Sequence, residues 1–309
     1  MSFDNLMAEA AEIQQSAIHY QVQRGVAEAG RAAGYAIKGL TEQAEKDFAD
    51  IPGLFEPFSM MPDPAAYGPL IHDMGTAMRF LSTGQDNKDP VDGLPFPANP
   101  VMDRLPGTET YIENWTGRAA EDFKRNFIDP FPALLSNQFL LGSVLKGGLA
   151  AHAEVWRRAR NDIDKIATDT LAALDHMNDC GSNDWSMFFT VVGAVVSIAA
   201  VPVTDGASLY GLAFVGAAAS VASSASGGGG GAERRFSGET AGAVISQMRQ
   251  AISMLADDIT GQERKIATAM TDSYATVRGS HSAFVSNRPL LAGANAGNVT
   301  TDAFLGYST

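Results

Sequence analysis

Two long stretches of the sequence repeat apolar or small residues every three or four positions, which is the period of one face of an α-helix. They cover residues 131–179 and 238–285. The repeating positions are Leu141, Leu145, Leu149, His152, Trp156, Ala159, Ile163, Ile166, Thr170 and Leu174 in the first stretch, and Val244, Met248, Ile252, Leu255, Ile259, Ile266, Met270 and Val277 in the second. The first stretch predicts a helix of about 45 residues and about 68 Å. Because one apolar stripe of that length is unstable in water, we expect the two helices to pack antiparallel.

The pattern as a whole predicts an all-α protein, an elongated helical bundle with two long antiparallel helices and an apolar helical hairpin between them. The predicted parts are N-terminal helices with proline-rich connecting loops at 1–107, a long-helix bundle at 108–285 and a flexible tail at 286–309. The bundle part includes the apolar hairpin at 185–225 and a glycine linker at 226–232.

The N-terminal part alternates helical with proline-rich segments. Residues 2–50 keep an apolar helical face that weakens around Gly25 and Gly30. Proline lacks the backbone N–H and disfavours helix in the residue before it, so the prolines that follow are expected to break the helix. They are Pro52, Pro57, Pro62, Pro64 and Pro69. A short helix is predicted around 66–82, and the irregular stretch 84–107 is long enough that we expect it to cover the bundle surface or to have a function.

Composition and charge limit the partners and the export route. The chain has 309 residues, 45% of them hydrophobic, and a formal net charge of -13, so it has enough apolar material for a core. No basic run offers the counterion release on which nucleic-acid binding depends, and no nucleic-acid partner is expected. The first residues lack the basic and apolar regions of a Sec signal peptide. The single cysteine, Cys180, excludes an internal disulfide.

Two apolar runs without charges, 187–203 and 207–221, are separated by a turn at 204–206 and form the predicted hairpin. Small residues four positions apart would let its helices approach closely. Each run is at or below the roughly 17–25 residues that span a bilayer core. The hairpin therefore either folds back as the dry end of the bundle core, or inserts into a membrane or binds an apolar surface of a partner. Its predicted contact residues are Phe188, Phe189, Val192, Val196, Ile198, Leu209, Leu212, Phe214 and Val215.

Signals for catalysis are weak throughout the sequence. The five histidines are scattered, and none has metal-ligand spacing such as His-Glu-x-x-His. His152 lies on the apolar stripe, where a packed core histidine is more common than a ligand. Asp162 and Asp164 are two positions apart and do not share a helix face, and Asp257 with Asp258 is most simply a solvated edge. We expect no catalytic residue, no cofactor and no metal.

A tryptophan, a glycine and two alanines precede the first long helix in the run Trp115-Thr-Gly117-Arg-Ala119-Ala120-Glu-Asp-Phe123. This order favours a corner between two helices. The Trp115 ring can be buried across the corner, and the alanines let a second helix come close. Gly117 permits a backbone angle, or a close approach, that a side chain would block.

This run resembles the W-x-G signature of the small helical-hairpin proteins exported by type VII (ESX) secretion in actinobacteria and their relatives. The resemblance covers at most residues 108–180 and the paired helix at 237–285. It implies export without a Sec peptide to the medium or cell surface, and pairing with itself or with another helical secretion partner. It also implies a role as a secreted substrate, component or toxin-carrier segment rather than as an enzyme. No tyrosine is followed four positions later by Asp or Glu, the export signal of the family, so a partner would have to supply it.

Two other classes of protein fit the same pattern. Long helices that flank an uncharged hairpin are also typical of helical pore-forming toxins, in which a bundle releases a hidden hairpin into lipid and oligomerises. The third interpretation is a structural helical bundle in the cytoplasm or in a virion, with no lipid role. In that case the tryptophan run is an ordinary aromatic corner.

Overall fold

A computed structural model of the chain describes residues 3–30, 33–84, 87–104, 116–177, 186–190, 233–237 and 240–286, together with residues 107, 110, 114, 295 and 297. Its α-helices are α1 (Leu6–Ala29), α2 (Ala33–Asp47), α3 (Ile51–Ser59), α4 (Tyr67–Leu81), α5 (Arg118–Phe123), α6 (Phe131–His176) and α7 (Ala241–Gly279). It also has two strands, β1 (Ser186–Thr190) and β2 (Glu233–Ser237), a π-helix at Lys124–Ile128, and 3-10 turns at Phe3–Asn5, Pro64–Ala66, Met102–Arg104 and His281–Ala283. The prediction of an all-α protein with two long helices is confirmed, since α6 has 46 residues and α7 has 39.

The described chain divides into two compact units. The first contains described residues of 1–66, 152–195 and 223–264. The second contains described residues of 67–151 and 265–309. Each long helix therefore contributes one part of its length to each unit.

The core of the first unit combines apolar side chains from five helices. Buried positions in α1 recur every three or four residues, as the helical period requires when one face is covered. The larger members of this core are Leu6 and Ile13 in α1, Phe48, Ile51 and Phe55 at the α2–α3 junction, Ile163, Ile166 and Leu174 in α6, and Val244, Met248 and Leu255 in α7. The break between α1 and α2 comes at Gly30, whose φ of 54° favours glycine, and this is the weak middle that the sequence predicts.

Helix α3 corrects the expectation that the prolines end helical structure at residue 50. Pro52 lies in the first turn of α3, where its missing N–H has no helical partner in any case. Pro57 lies inside the helix. Arg249 of α7 fastens the junction before α3, because its Nη2 donates to the Asp47 carbonyl at 2.9 Å and to Asp50 Oδ1 at 2.6 Å. The tertiary contacts outweigh the one backbone hydrogen bond that Pro57 removes.

In the second unit the two long helices run antiparallel, as the sequence predicts. Asn137 Nδ2 donates to the Ala283 carbonyl at 2.7 Å, and Gln138 Nε2 donates to the Phe284 carbonyl at 2.6 Å. Further along α6, Gly148 leaves no room for a side chain because Met270 of α7 occupies that space. The contacted residues thus change from 283 and 284 to 270 as the position on α6 advances from 137 and 138 to 148, so α6 and α7 run in opposite directions. The two amides also satisfy carbonyl groups beyond the end of α7.

The proline-rich stretch after α4 folds onto α6 within the second unit. Phe96 is buried against Phe139, with ring centroids 5.6 Å apart, and Met78 of α4 lies in the same cluster. Asp89 forms an ion pair with Lys146. The Phe96 N–H donates to the Asn87 carbonyl at 2.7 Å, so the stretch also satisfies part of its own backbone. This stretch therefore covers part of the bundle surface, which is one of the two roles that the sequence predicts for residues 84–107. The other role, a function of its own, stays a prediction.

Strands β1 and β2 correct the prediction of a helical hairpin at its first residues. Residues 186–190 pair antiparallel with residues 233–237, from Ser186 opposite Ser237 to Thr190 opposite Glu233. Short runs of apolar residues fit a strand as well as a helix, and β1 gains its ladder of hydrogen bonds from a partner far along the chain. Helix α7 accordingly begins at residue 241, three positions later than predicted. The rest of the predicted hairpin at 185–225 lies outside the described residues.

Candidate functional site

Residues 116–123 of the tryptophan run lie in the second unit, and the last six of them form α5. Gly117 is the residue before this helix, and its φ of 100° and ψ of 168° lie in a region that is almost restricted to glycine. A Cβ placed on Gly117 would meet no atom within 4 Å. The sequence offers two reasons for this glycine, and the structure supports the backbone angle over the close approach. Trp115 lies outside the described residues.

We expect Gly117→Ala to destabilise the start of α5 by about 1–3 kcal/mol, because alanine is strained at this φ and ψ. Amide hydrogen exchange of the 116–130 segment measures the effect. Gly39→Ala in α2 is the control, since Gly39 lies inside that helix and has no neighbour within 4 Å of its Cβ position. Equal exchange in the two variants would contradict the conformational role of Gly117.

An aromatic ladder continues from the tryptophan run into α6. The rings of Phe123 and Phe127 stack with centroids 5.2 Å apart, and those of Phe127 and Phe131 are 5.7 Å apart. All three side chains are half-buried, whereas Ala120 beside them is fully buried. The π-helix at 124–128 lies within this ladder, and such turns are frequent at functional sites. These three phenylalanines are four positions apart, a spacing that is visible in the sequence, but sequence reasoning misses Phe131. For Ala119, the remaining predicted residue, the structure places only the backbone, in α5.

The predicted hairpin residues are only partly placed. Phe188 and Phe189 lie in β1, opposite Arg235 and Arg234 of β2. The other predicted residues lie outside the described part of the chain: Val192, Val196, Ile198, Leu209, Leu212, Phe214 and Val215. The pairing of Thr190 with Glu233 brings the two ends of segment 191–232 together. Among the described helices, none has the length and apolar character needed to cross a membrane.

Polar groups of the first unit form two pairings on α6 near its midpoint. His152 Nε2 lies 3.4 Å from Glu263 Oε1 of α7, and its ring centroid lies 5.7 Å from that of Trp156. Glu154 accepts hydrogen bonds of 2.6 Å from Arg157 and from Arg158. Burial by itself would raise the pKa of Glu154, but these hydrogen bonds and charges outweigh it and the pKa is lowered. His152 contacts an aromatic ring, but its side chain is 33% exposed, so it is not the packed core histidine that the sequence favours, and the sequence does not reveal its acidic neighbour.

Asp162 and Asp164 face different surroundings, in agreement with their spacing. The pKa of Asp162 is raised to about 6, mainly by burial; the charge of Lys165 opposes the shift, and that of Asp258 on α7 adds to it. Asp258 is half-buried, so the solvated edge predicted for Asp257 and Asp258 is correct for Asp257 alone. The sequence does not reveal that Asp162 and Asp258 lie near each other, because the spacing of residues on α6 carries no information about which charges of α7 lie beside it.

We expect the first unit to become more stable as the pH falls from about 7.5 to about 5. The folded pKa of Asp162 lies above its ordinary value of 3.8, so its stabilising contribution is complete below that value and is lost as the pH rises through about 6. Asp162→Asn should raise the free energy of unfolding at pH about 7.5 by about 1–3 kcal/mol and weaken the pH dependence. Urea unfolding at several pH values measures this. The exposed Asp257→Asn is the control, and an equal response in both variants would contradict the prediction.

No group of three or more His, Cys, Asp or Glu side chains within the described ranges is arranged to hold a metal ion. Comparisons of the chain with protein-family models, with curated proteins and with solved structures find no match.

Proposed function

We propose that the chain is a secreted helical interaction protein of the W-x-G type, a substrate or component of a type VII secretion system that acts by binding rather than by catalysis. The observation that carries this proposal is Gly117, whose backbone angle precedes α5 within the tryptophan run, ahead of the long helix α6. The antiparallel contacts of α6 with α7 in the second unit support the same interpretation, because the family is built on paired helices.

The partner in this proposal is a second copy of the chain or another helical secretion protein. Half-buried aromatic rings are a suitable docking surface, since each ring has a large apolar area and part of it remains accessible to a partner. The ladder of Phe123, Phe127 and Phe131 provides such rings beside the tryptophan run. A partner chain would also supply the export signal that this sequence lacks.

A secretion assay tests the proposal directly. The chain is expressed with its neighbouring genes in an actinobacterial host, with and without the type VII ATPase, and its amount in the culture medium is compared with that of a cytosolic marker. We expect export only when the ATPase is present, and reduced export of Trp115→Ala and Gly117→Ala. Export that is independent of the ATPase, or retention in the cell in both strains, would reject the type VII assignment.

A second candidate function is membrane insertion by the apolar segment, as in helical pore-forming toxins. The pairing of β1 with β2 favours it, because it places residues 190 and 233 opposite each other at the borders of a segment whose one charged residue is Asp205. Release of a dye from phosphatidylcholine–phosphatidylglycerol vesicles tests this function. The control replaces 191–232 by Asn-Gly, a two-residue turn that joins antiparallel strands. Equal release by both proteins, or release by neither, would reject the membrane role.

A further inference from the structure

Helix α1 lies parallel to α6 in the first unit, in a register that two contacts define. Tyr20 donates from its hydroxyl to Asp175 Oδ1 at 3.5 Å, across a separation of 155 residues. At the start of the chain, the guanidinium carbon of Arg160 lies 4.4 Å from the centre of the Phe3 ring. Residues 3 and 20 thus contact residues 160 and 175 in the same order along the chain, so α1 and α6 run parallel. The separation of 155 residues places Glu9 level with Asp164.

Glu9 and Asp164 both bury a carboxylate oxygen that has no hydrogen-bond partner. Glu9 is 5% exposed, and its Oε2 accepts no hydrogen bond. Asp164 Oδ1 is buried and likewise accepts none. A buried acceptor without a partner is costly, and two ionised carboxylates at one level of a helix interface also repel each other. The interface is therefore incomplete when both groups are charged.

We propose that Glu9 and Asp164 form a proton-sharing carboxyl pair that tightens the docking of α1 on α6 as the pH falls. A proton taken from solvent converts Glu9 into a hydrogen-bond donor, and its O–H then donates to Asp164 Oδ1. This single protonation removes one of the two negative charges and gives both unpartnered oxygens a partner.

The charges around Glu9 agree with this role. Burial is the main reason why the pKa of Glu9 is raised, the charges of Asp164 and Glu12 add to the shift, and the α-amino group of the chain opposes it. From α6, the nearest cation along the same face is Arg160, one turn before Asp164. Its Nη2 donates to the Met61 carbonyl at 2.8 Å and its Nη1 lies 3.9 Å from Asp63, so these two nitrogens are engaged by the turn after α3, whereas its buried Nε donates no hydrogen bond.

The sign of the pH effect follows from the direction of the shift. A carboxyl whose folded pKa is raised stabilises the fold at low pH, and that stabilisation is lost as the pH rises through the folded pKa. Docking of α1 is therefore expected to be tighter at mildly acidic pH than at neutral pH. Glu9→Gln is a permanent form of the protonated state, since its amide N–H can donate to Asp164 Oδ1 at any pH.

Amide hydrogen exchange of α1 and urea unfolding, both measured between pH about 5 and about 7.5, test the pair. At the higher pH we expect the folding equilibrium constant of Glu9→Gln to exceed that of the unaltered chain by about fivefold or more, because a buried acceptor gains a partner. The difference should shrink towards the lower pH. Glu12→Gln removes a charge of the same sign from an exposed position of α1, where it contributes least to the raised pKa of Glu9, and should show much smaller effects.

A double-mutant cycle with Asp164→Asn assigns the effect to the pair. We expect the gain from Glu9→Gln to depend on Asp164, and exchange of α1 amides in the unaltered chain to slow as the pH falls after correction for intrinsic rates. Three results would overturn the proposal: a gain from Glu12→Gln as large as that from Glu9→Gln, additivity of the Glu9 and Asp164 substitutions, or α1 protection that does not change with pH.

Discussion

Replacing Lys146 by methionine is expected to lower the free energy of unfolding of the second unit by about 3–5 kcal/mol. The side chains of Lys146 and Asp89 are only 10% and 12% exposed, and they form an ion pair. Lys146 Nζ also lies 5.6 Å from the centre of the Phe96 ring, so this ammonium joins the proline-rich stretch to α6 by two contacts. Loss of the ammonium leaves the Asp89 carboxylate charged and without its partner in a place with little water, which is the reason for the large effect.

Urea unfolding followed by hydrogen exchange of segments 87–104 and 131–151 measures this loss. The exposed Lys265→Met in the same unit is the matched control and should change stability by less than about 0.5 kcal/mol. Replacing both partners, as Asp89→Asn with Lys146→Met, should recover much of the lost stability because no unpaired charge is left buried. The interpretation fails if Lys146→Met behaves like Lys265→Met, or if the double variant is no better than the single one.

Periodicity predicts the two long helices well because it reflects a local property of the chain. In α7 the predicted positions Val244, Met248 and Leu255 are buried, and in the second half of α6 so are Ile163 and Leu174. These positions all lie on the face of their helix that packs against neighbouring helices, so one apolar stripe is enough to predict them.

The same reasoning fails in the first half of α6. Leu145, which lies on the predicted stripe, is 41% exposed, whereas the charged Lys146 next to it is buried. The cause is the proline-rich stretch, which places Asp89 and Phe96 on a face of α6 that periodicity assigns to solvent. Local spacing carries no information about which distant segment covers a helix.

In the candidate site too, some features are predicted by the local sequence and others depend on distant segments. The unusual backbone of Gly117 is signalled by the residue itself, and the aromatic ladder by its four-residue spacing. The pairing of β1 with β2 and the carboxyl pair of Glu9 with Asp164 depend on segments far apart in the sequence. Such contacts follow from the register of whole helices, which the residue pattern of either partner alone does not define.

Ile163→Ala is expected to destabilise the first unit by about 2–5 kcal/mol. Ile163 is 0% exposed and belongs to the core of the first unit, to which five helices contribute, so its truncation leaves a cavity among side chains that are held by several helices. Ile37→Ala is the matched control, since Ile37 lies in the same unit on α2 and is 44% exposed. There the loss of apolar contact is small and alanine favours helix, so the change should stay within about 0.5 kcal/mol. Urea unfolding monitored by circular dichroism and by tryptophan fluorescence compares the two, and similar midpoints would contradict the assignment of Ile163 to the core.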